Sequence, residues 1–194
     1  MSIILASKSP RRKSILSKLE IPFKVIQSNF TEDEHTGKEK PSNYTMRLAK
    51  GKASNVALNF PNDLIIGADT TVVLNDKILG KPKTHKDAKN HLLHLSGKTH
   101  SVITGVTVIY NSKNISYSFY SKTDVTFYIL NKLDIDMYVK SNSSMDKAGS
   151  YGIQDYSSIF VKKINGCYFN VVGFPLAQFY LEINKLGVNL DEIK

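Results

Sequence analysis

Residues 64–79, LIIGADTTVVLNDKIL, predict the centre of a β-sheet. Their apolar start is typical of a buried strand, and the chain continues in extended form through Leu74. Asn75-Asp76 then predicts a turn with a short return strand. Asp69 therefore lies within a strand or at its end, where a carboxylate can hold Mg²⁺ or serve as a general base. A structural carboxylate, satisfied by backbone N–H groups, fits the same place.

The chain before this stretch predicts a strand, a helix, a second strand and a longer helix. Residues 2–6 are apolar, and Ser9-Pro10 supplies an N-cap and a proline at the first helical position. That helix should run to about residue 19. A strand at residues 23–27, a polar loop at residues 28–41 and an amphipathic helix at residues 42–60 follow. Gly51 within the last helix costs about 1 kcal/mol relative to alanine.

The chain after residue 79 predicts a helix and a long hairpin. Thr84 and Asp87 form a capping-box pattern for a helix that ends at Gly97. The β-branched and aromatic stretches at residues 99–110 and 115–130 predict two paired antiparallel strands.

The C-terminal part predicts a short helix, a second hairpin and a last helix. Asn131 should cap the short helix. Asn165-Gly166 is a type I′ turn signal, so it predicts a hairpin of residues 159–164 and 167–172. Pro175 starts the last helix. Helices among so many hairpin strands predict an α/β fold with a mixed sheet rather than a purely parallel, doubly wound sheet.

The composition indicates one ordinary globular domain over residues 1–194. The chain is 41% hydrophobic and 22% charged, which excludes disorder throughout, and no linker divides it. Cys167 is the only cysteine, which excludes an internal disulfide and a cysteine-ligated metal site built by one chain. No apolar run reaches the ~20 residues of a membrane span, and the N-terminus does not match a signal peptide. We expect a cytoplasmic protein with no membrane partner.

The charge pattern predicts an anionic partner. The net charge is +9, and residues 1–60 hold eleven Lys and Arg against five Asp and Glu. Charge alone leaves nucleic acid, an anionic membrane surface and a phosphorylated small molecule open. Residues 7–12, SKSPRR, combine hydroxyls and arginines with the free N–H groups of a helix start, which is a phosphate-binding pattern. Solvated surface charges are the alternative, although arginines there oppose the helix dipole unless an anion is bound.

Other polar residues are weaker candidates when each is taken alone. Lys52 and Lys81 fit phosphate ligands, but each also fits a surface lysine. Glu32 lies in an acidic run that fits solvent exposure. His91 and His94 are spaced i, i+3 without a nearby acidic ligand pattern, which disfavours zinc. No P-loop, dinucleotide-binding or serine-hydrolase motif occurs, so the residues alone predict an anion-binding α/β domain.

Several motifs together carry a family resemblance. They are ASKSPRR at residues 6–12, RLAKGKA at 47–53, GADTTV at 67–72, GKP at 80–82, LSGKTHSVITGV at 95–106, DKAGSYGIQ at 146–154 and KINGCYFNVVGFP at 163–175. In this order and spacing they resemble the motifs of the Maf family of nucleoside triphosphate pyrophosphatases.

The resemblance implies a fold and an activity. The fold is an elongated mixed β-sheet with flanking helices, similar to Ham1 and inosine triphosphatase, in which two lobes surround a nucleotide-binding cleft. The activity is hydrolysis of a nucleoside triphosphate between its α and β phosphates, with Mg²⁺ or Mn²⁺ as cofactor. Arg11, Thr70 and Gln154 resemble the branch that acts on dTTP and UTP. No stable nucleic-acid complex is implied, and a homodimer stays open.

The resemblance also implies roles for matched positions. Asp69 matches the proton acceptor, and Glu32 matches a polar cleft residue. A metal would be held with help from Glu32 or Asp69, and whether Asp69 is chiefly base or metal ligand stays open. The implied substrate-binding residues are Ser7, Arg11, Arg12, Lys52, Thr70, Lys81 and Gln154. The alternative function is a basic nucleic-acid-binding or cell-division regulatory protein without catalysis.

Overall fold

A mixed β-sheet with helices on both faces makes up the computed structural model, which describes residues 2–190. The strands are Ile3–Leu5 (β1), Phe23–Val25 (β2), Leu64–Leu74 (β3), Lys77–Leu79 (β4), Thr99–Tyr110 (β5), Ile115–Phe127 (β6) and Val161–Asn165 (β7). The helices are Pro10–Leu16 (α1), Pro41–Ala57 (α2), His85–Leu95 (α3), Lys132–Lys140 (α4), Tyr168–Val172 (α5) and Leu176–Lys185 (α6).

The strand order confirms the predicted mixed α/β sheet. It is β2-β1-β3-β5-β6-β7, and β4 also pairs with β3. β1 is parallel to both of its neighbours, whereas the other pairs are antiparallel. None of the helices within residues 2–190 has the length and apolarity to cross a membrane.

Local signals in the sequence set three helix starts and one turn as predicted. The Ser9 side chain caps α1 by accepting from the backbone N–H of Arg12. Thr84 forms a reciprocal capping box at the start of α3, and the Asn131 side chain caps α4. Asn75-Asp76 takes positive φ at both residues, which a type I′ turn between β3 and β4 requires.

The long strands carry a hydrophobic core at each end of one sheet face. Ile66 and Val108 belong to the first core, which α6 covers through Phe179. Val72 and Phe127 belong to the second, which lies against α3 and α4. These residues share one face because side chains alternate along a strand. The predicted two-lobed arrangement therefore corresponds to two cores joined by continuous strands.

Helix α2 covers the middle of the opposite sheet face. It packs Ala53, Val56 and Ala57 on Ile65 of β3. Gly67 makes this close packing feasible, because a Cβ at that position would collide with the backbone oxygen of Ala49. The backbone of the helix that carries Lys52 thus lies close against the centre of β3.

The predicted hairpin of residues 159–164 and 167–172 is wrong in its second strand. Val161–Asn165 does pair with β6 as β7, but Tyr168–Val172 is the helix α5. Gly166 alone of the turn pair has positive φ, whereas a type I′ turn needs it at both residues. The fully buried Asn170 amide donates to the Val102 carbonyl and to Thr123 Oγ1, both at 3.0 Å. These buried hydrogen bonds override the strand propensity of the segment.

Candidate active site

The cleft lies where one edge of β3 is left open. β1 pairs with that edge as far as Ile66, and β4 pairs with it from Val72 onward. Both strands end towards the gap, because β1 runs parallel and β4 antiparallel to β3. Within the described residues 2–190, no strand pairs with residues 67–71 on this edge. The loops that leave β1 and β4 therefore meet at a cleft of about 1000 Å³.

Asp69 lies in the middle of this gap and binds a lysine from α2. Its Oδ1 is 2.6 Å from Lys52 Nζ, which is also 2.8 Å from Glu32 Oε1. Asp69 is only 8% exposed, and its second oxygen has no hydrogen-bond partner among the described residues. Partial burial acts to raise the pKa of Glu32, but the hydrogen bond and charge of Lys52 outweigh it, so that pKa lies below its ordinary value.

The pair of carboxylates fits a divalent cation. Residues 2–190 contain no cluster of three or more His, Cys, Asp or Glu suited to a metal. Glu32 and Asp69 nevertheless converge closely enough to share one cation, the Lys52 ammonium. Mg²⁺ is commonly held by one or two carboxylates together with substrate phosphates. The donor set therefore suits a cation that arrives with a phosphorylated ligand.

Arg12 is fixed at the junction of the two lobes by three different segments. Its Nε donates to the Gly173 carbonyl at 3.0 Å, and its Nη2 donates to Thr70 Oγ1 at 3.0 Å. Its Nη1 donates to Ser7 Oγ at 3.3 Å. Burial lowers the pKa of Arg12 from its ordinary value, and Asp69 partly counters this. A guanidinium nevertheless stays protonated in proteins, so the cleft keeps a rigid positive charge.

Arg11 and Lys81 also line the cleft. Arg11 Nη1 binds Asp146 Oδ2 at 2.9 Å. Lys81 follows the end of β4, is exposed, and forms no salt bridge with any residue in the described range. Its positive charge is close enough to help lower the pKa of Glu32. Lys81 is therefore a cleft lysine whose ammonium is available to an incoming anion.

Gln154 lines the cleft from a segment that lies between Tyr151 of the second core and Ile153 of the first. Its side chain is exposed, and its amide makes no hydrogen bond with another described residue. Val72, Val102 and Tyr151 line the same part of the cleft with apolar surface. A flat ring with a polar edge would match this combination of an apolar wall and a free amide.

All of the predicted site residues meet at this cleft or at its adjoining recess. Ser7 lines the recess next to Arg12, and the others line the main cleft, namely Arg11, Arg12, Glu32, Lys52, Asp69, Thr70, Lys81 and Gln154. Gly51 does not interrupt α2; a Cβ there would collide with the Phe30 ring, which explains the glycine. The loop that carries Glu32 is thus packed directly on α2.

Three residues that contribute to the site were not predicted from the sequence. Asp146 pairs with Arg11, and the Gly173 carbonyl accepts from Arg12. Tyr44 lines the cleft and donates to the Asp33 carbonyl at 2.9 Å. Asp146 lies in the quoted motif DKAGSYGIQ, so an acidic residue in that motif was a usable signal. A backbone carbonyl leaves no such signal.

Comparison with known proteins identifies the family. A family model described as Maf-like protein matches residues 2–186. The chain belongs to the Maf family. Maf relatives named dTTP/UTP pyrophosphatase include one from Bacillus mycoides (strain KBAB4), 47% identical over 94% of each chain. Another from Clostridium tetani (strain Massachusetts / E88) is 44% identical over 98% of this chain and 100% of the relative. The solved Staphylococcus aureus Ham1 protein covers 66% of this Maf chain and 72% of its own, at 14% identity and a TM-score of 0.48.

Proposed function

We propose that this Maf protein hydrolyses dTTP and UTP to the nucleoside monophosphate and pyrophosphate. The observation that carries the proposal is the gap in the β3 edge, where Asp69 lies among Arg12, Lys52 and Lys81. A triphosphate needs positive charge along its length, and its hydrolysis needs a group that can take a proton from water. The name shared by relatives at 44–47% identity supports the same substrates.

The reaction breaks the bond between the α phosphorus and the oxygen that bridges to the β phosphate. Water attacks the α phosphorus, and the oxygen of Asp69 that lacks a partner takes a proton from it. The bridging oxygen leaves with the pyrophosphate and keeps the bond's electron pair. Arg12 and Lys81 stabilise the negative charge that develops on the phosphates, and Arg12, held by Gly173, Thr70 and Ser7, does not need to reorganise during the step.

We propose Mg²⁺ or Mn²⁺ as the cofactor, held by Glu32 and Asp69 together with the substrate. When bound, such a cation withdraws charge from the phosphoryl oxygens. The Lys52 ammonium bridges the same two carboxylates, so it would have to move away from them when a cation binds there. Lys52 is then free to turn towards a phosphate.

Selection of the base falls to the segment that carries Gln154. We call Ser7, Arg12, Glu32, Lys52, Asp69 and Lys81 the phosphate end of the cleft, and residues 148–157 the base end. The Gln154 amide both donates and accepts, which matches the N3–H and O4 edge shared by uracil and thymine. Cytosine presents the reverse pattern. Because an amide can flip to suit either base, Thr70 or Arg11 would help to fix the orientation of the Gln154 amide that favours uracil and thymine.

We also propose that the protein works in the cytoplasm, where its one cysteine would stay reduced, and that it has a housekeeping role there in removing non-canonical nucleotides. A homodimer and a single domain over residues 1–194 stay predictions.

The test is pyrophosphate release from each nucleoside triphosphate in the presence of Mg²⁺. We expect turnover in the order dTTP and UTP above CTP, with purine triphosphates poor. Equal rates on UTP and CTP would remove the base assignment alone. Absence of turnover on every canonical and modified nucleotide would instead favour the binding-protein alternative.

A further inference from the structure

The base end of the cleft is anchored by buried polar contacts that do not themselves face the nucleotide. Gln154 has no side-chain partner among the described residues, so its place depends on the backbone on either side of it. That backbone runs from Ala148 to Ser157 and contains no strand or α-helix within the described range. The contacts that hold this segment therefore determine the position of the Gln154 amide.

Three contacts fix the segment before Gln154, each from a different part of the fold. The Tyr151 hydroxyl is 2.7 Å from His100 Nε2 on β5. The Ser150 hydroxyl is 2.8 Å from His91 Nδ1 on α3. The Gly149 N–H donates at 3.1 Å to the carbonyl of Gly80, which directly precedes Lys81. The base end is thus tied to the loop that carries a phosphate-end lysine.

The contact of His100 with Tyr151 is fully enclosed. His100 is 2% exposed and Tyr151 5%, and both rings pack edge-on against Phe127. Burial lowers the pKa of His100 to about 4, so the ring is neutral at pH 7. The other ring nitrogen, Nδ1, has no partner among the described residues, so the Tyr151 hydroxyl is the polar group that this histidine holds.

The backbone of the segment is strained at the point where these contacts act. Ser150 has φ of +65° although it is not glycine, and its side chain is fully buried. A residue in the left-handed region persists only where its surroundings hold it. The contacts of Ser150 and Tyr151 supply that constraint.

The segment after Gln154 is held as well. The Ser157 hydroxyl donates to the Gly152 carbonyl at 2.9 Å and accepts from the Gly152 N–H at 2.9 Å. Lys147 Nζ binds Asp155 Oδ2 at 3.1 Å. Gln154 therefore projects from a short stretch of chain fixed at both ends, which is the support that a specificity-determining side chain needs.

We propose that His100 and Tyr151, assisted by His91 and Ser150, are positioning residues that set the base preference of the cleft through Gln154. The inference rests on the proposed function and extends it to the buried Tyr151 hydroxyl and to the polar groups of His100, His91 and Ser150 behind the cleft wall. A misplaced amide loses its pairing with the uracil edge and loses nothing with cytosine, which it does not pair with in this orientation. Loosening the anchor should therefore slow UTP turnover more than CTP turnover.

The experiment compares Tyr151→Phe with the unmodified protein and with Tyr117→Phe. Both variants lose one hydroxyl contact and keep the ring, but the Tyr117 hydroxyl binds Glu182 at 2.9 Å, outside the cleft. The kcat/KM ratio of UTP to CTP should fall about threefold to tenfold in Tyr151→Phe, as expected for one lost hydrogen bond, and stay unchanged in Tyr117→Phe. Hydrogen exchange of residues 148–157 should also become faster in Tyr151→Phe alone.

A second pair of variants tests the route through Gln154. Ser150→Ala removes the hydroxyl that contacts His91 and should lower the same ratio, which keeps the test open if Tyr151→Phe folds poorly. In a Gln154→Ala background, Tyr151→Phe should leave the ratio where Gln154→Ala alone sets it, because coupled residues are not additive.

The outcomes separate the two proposals. If the unmodified protein prefers UTP and Tyr151→Phe lowers UTP and CTP turnover equally, or lowers only the melting temperature, His100 and Tyr151 are merely structural and this inference fails. An additive effect in the Gln154→Ala background would also overturn it. No preference for UTP in the unmodified protein would overturn the base assignment and this inference together.

Discussion

The phosphate end and the base end of the cleft are built in opposite ways. At the phosphate end every charged side chain except Lys81 is engaged with another residue, as in the Lys52 contacts with Asp69 and Glu32. At the base end the side chain that would meet the substrate, Gln154, is free, and the residues around it are engaged instead.

The contrast follows from what each end must recognise. An unpaired charge in a partly buried cleft is costly, so charges that await a triphosphate are held by one another in its absence. A neutral amide at the exposed rim has no such penalty, so Gln154 can stand without a partner while the backbone around it is fixed. Damage at the phosphate end should therefore lower turnover of every nucleotide, whereas damage at the base end should change the ranking of nucleotides.

The largest effect is expected at Asp69. Asp69→Asn keeps an oxygen that can accept from Lys52 but cannot take a proton from water, so kcat should fall about 10²- to 10⁴-fold on UTP, dTTP and CTP alike. Pyrophosphate release measures this, and circular dichroism checks the fold. Asp134→Asn, on α4 outside the cleft, is the matched control. Full activity in Asp69→Asn would reject Asp69 as the base, and unfolding would support a structural carboxylate.

Arg12 should show the next largest effect. Arg12→Ala removes charge-assisted contacts to the triphosphate, so kcat/KM should fall about 10- to 100-fold on every nucleotide. Stabilisation of the free protein by pyrophosphate in a thermal melt should disappear in the variant, and in the unmodified protein it should shrink with added salt.

Lys13→Ala is the control for Arg12, because Lys13 lies on the same helix but is exposed and outside the cleft. Stabilisation by pyrophosphate that is independent of salt, or that survives in Arg12→Ala, would contradict phosphate recognition by residues 7–12.

Metal binding at the phosphate end should depend on Lys52. Lys52→Gln removes the ammonium that Glu32 and Asp69 share, so the nucleotide-free protein should bind Mn²⁺ about tenfold more tightly, since the repulsion between two nearby cations is lost. The electron paramagnetic resonance signal of free Mn²⁺ measures this without any turnover. Lys50→Gln, exposed on the same helix, should bind Mn²⁺ like the unmodified protein. Unchanged affinity in Lys52→Gln would argue against Glu32 and Asp69 as metal ligands.

Features that depend on neighbouring residues were predictable from the sequence, whereas features that depend on long-range contacts were not. Ser9-Pro10 and the capping box at Thr84 fixed helix starts that depend only on neighbouring residues, and both were predicted. The helix α5 was missed because it is set by Asn170, whose partners Val102 and Thr123 are distant in the chain. Likewise the charged residues that converge on the cleft were identifiable by type, but the contacts of His91 and His100 with the base end needed the fold.

The smallest effect is expected at Gln154, where the base end is tested directly. Gln154→Ala removes one exposed amide and leaves Asp69, Arg12 and the metal-binding carboxylates in place, so activity should persist. The preference for UTP over CTP should narrow by about threefold to tenfold, the usual worth of one hydrogen bond. Steady-state kinetics with both nucleotides at saturating Mg²⁺ measure it, and Gln178→Ala, remote from the cleft, is the control. An equal loss of kcat/KM on UTP and CTP would mean that Gln154 contributes to binding of every nucleotide. The base end would then behave like the phosphate end, and the contrast between the two ends would fail.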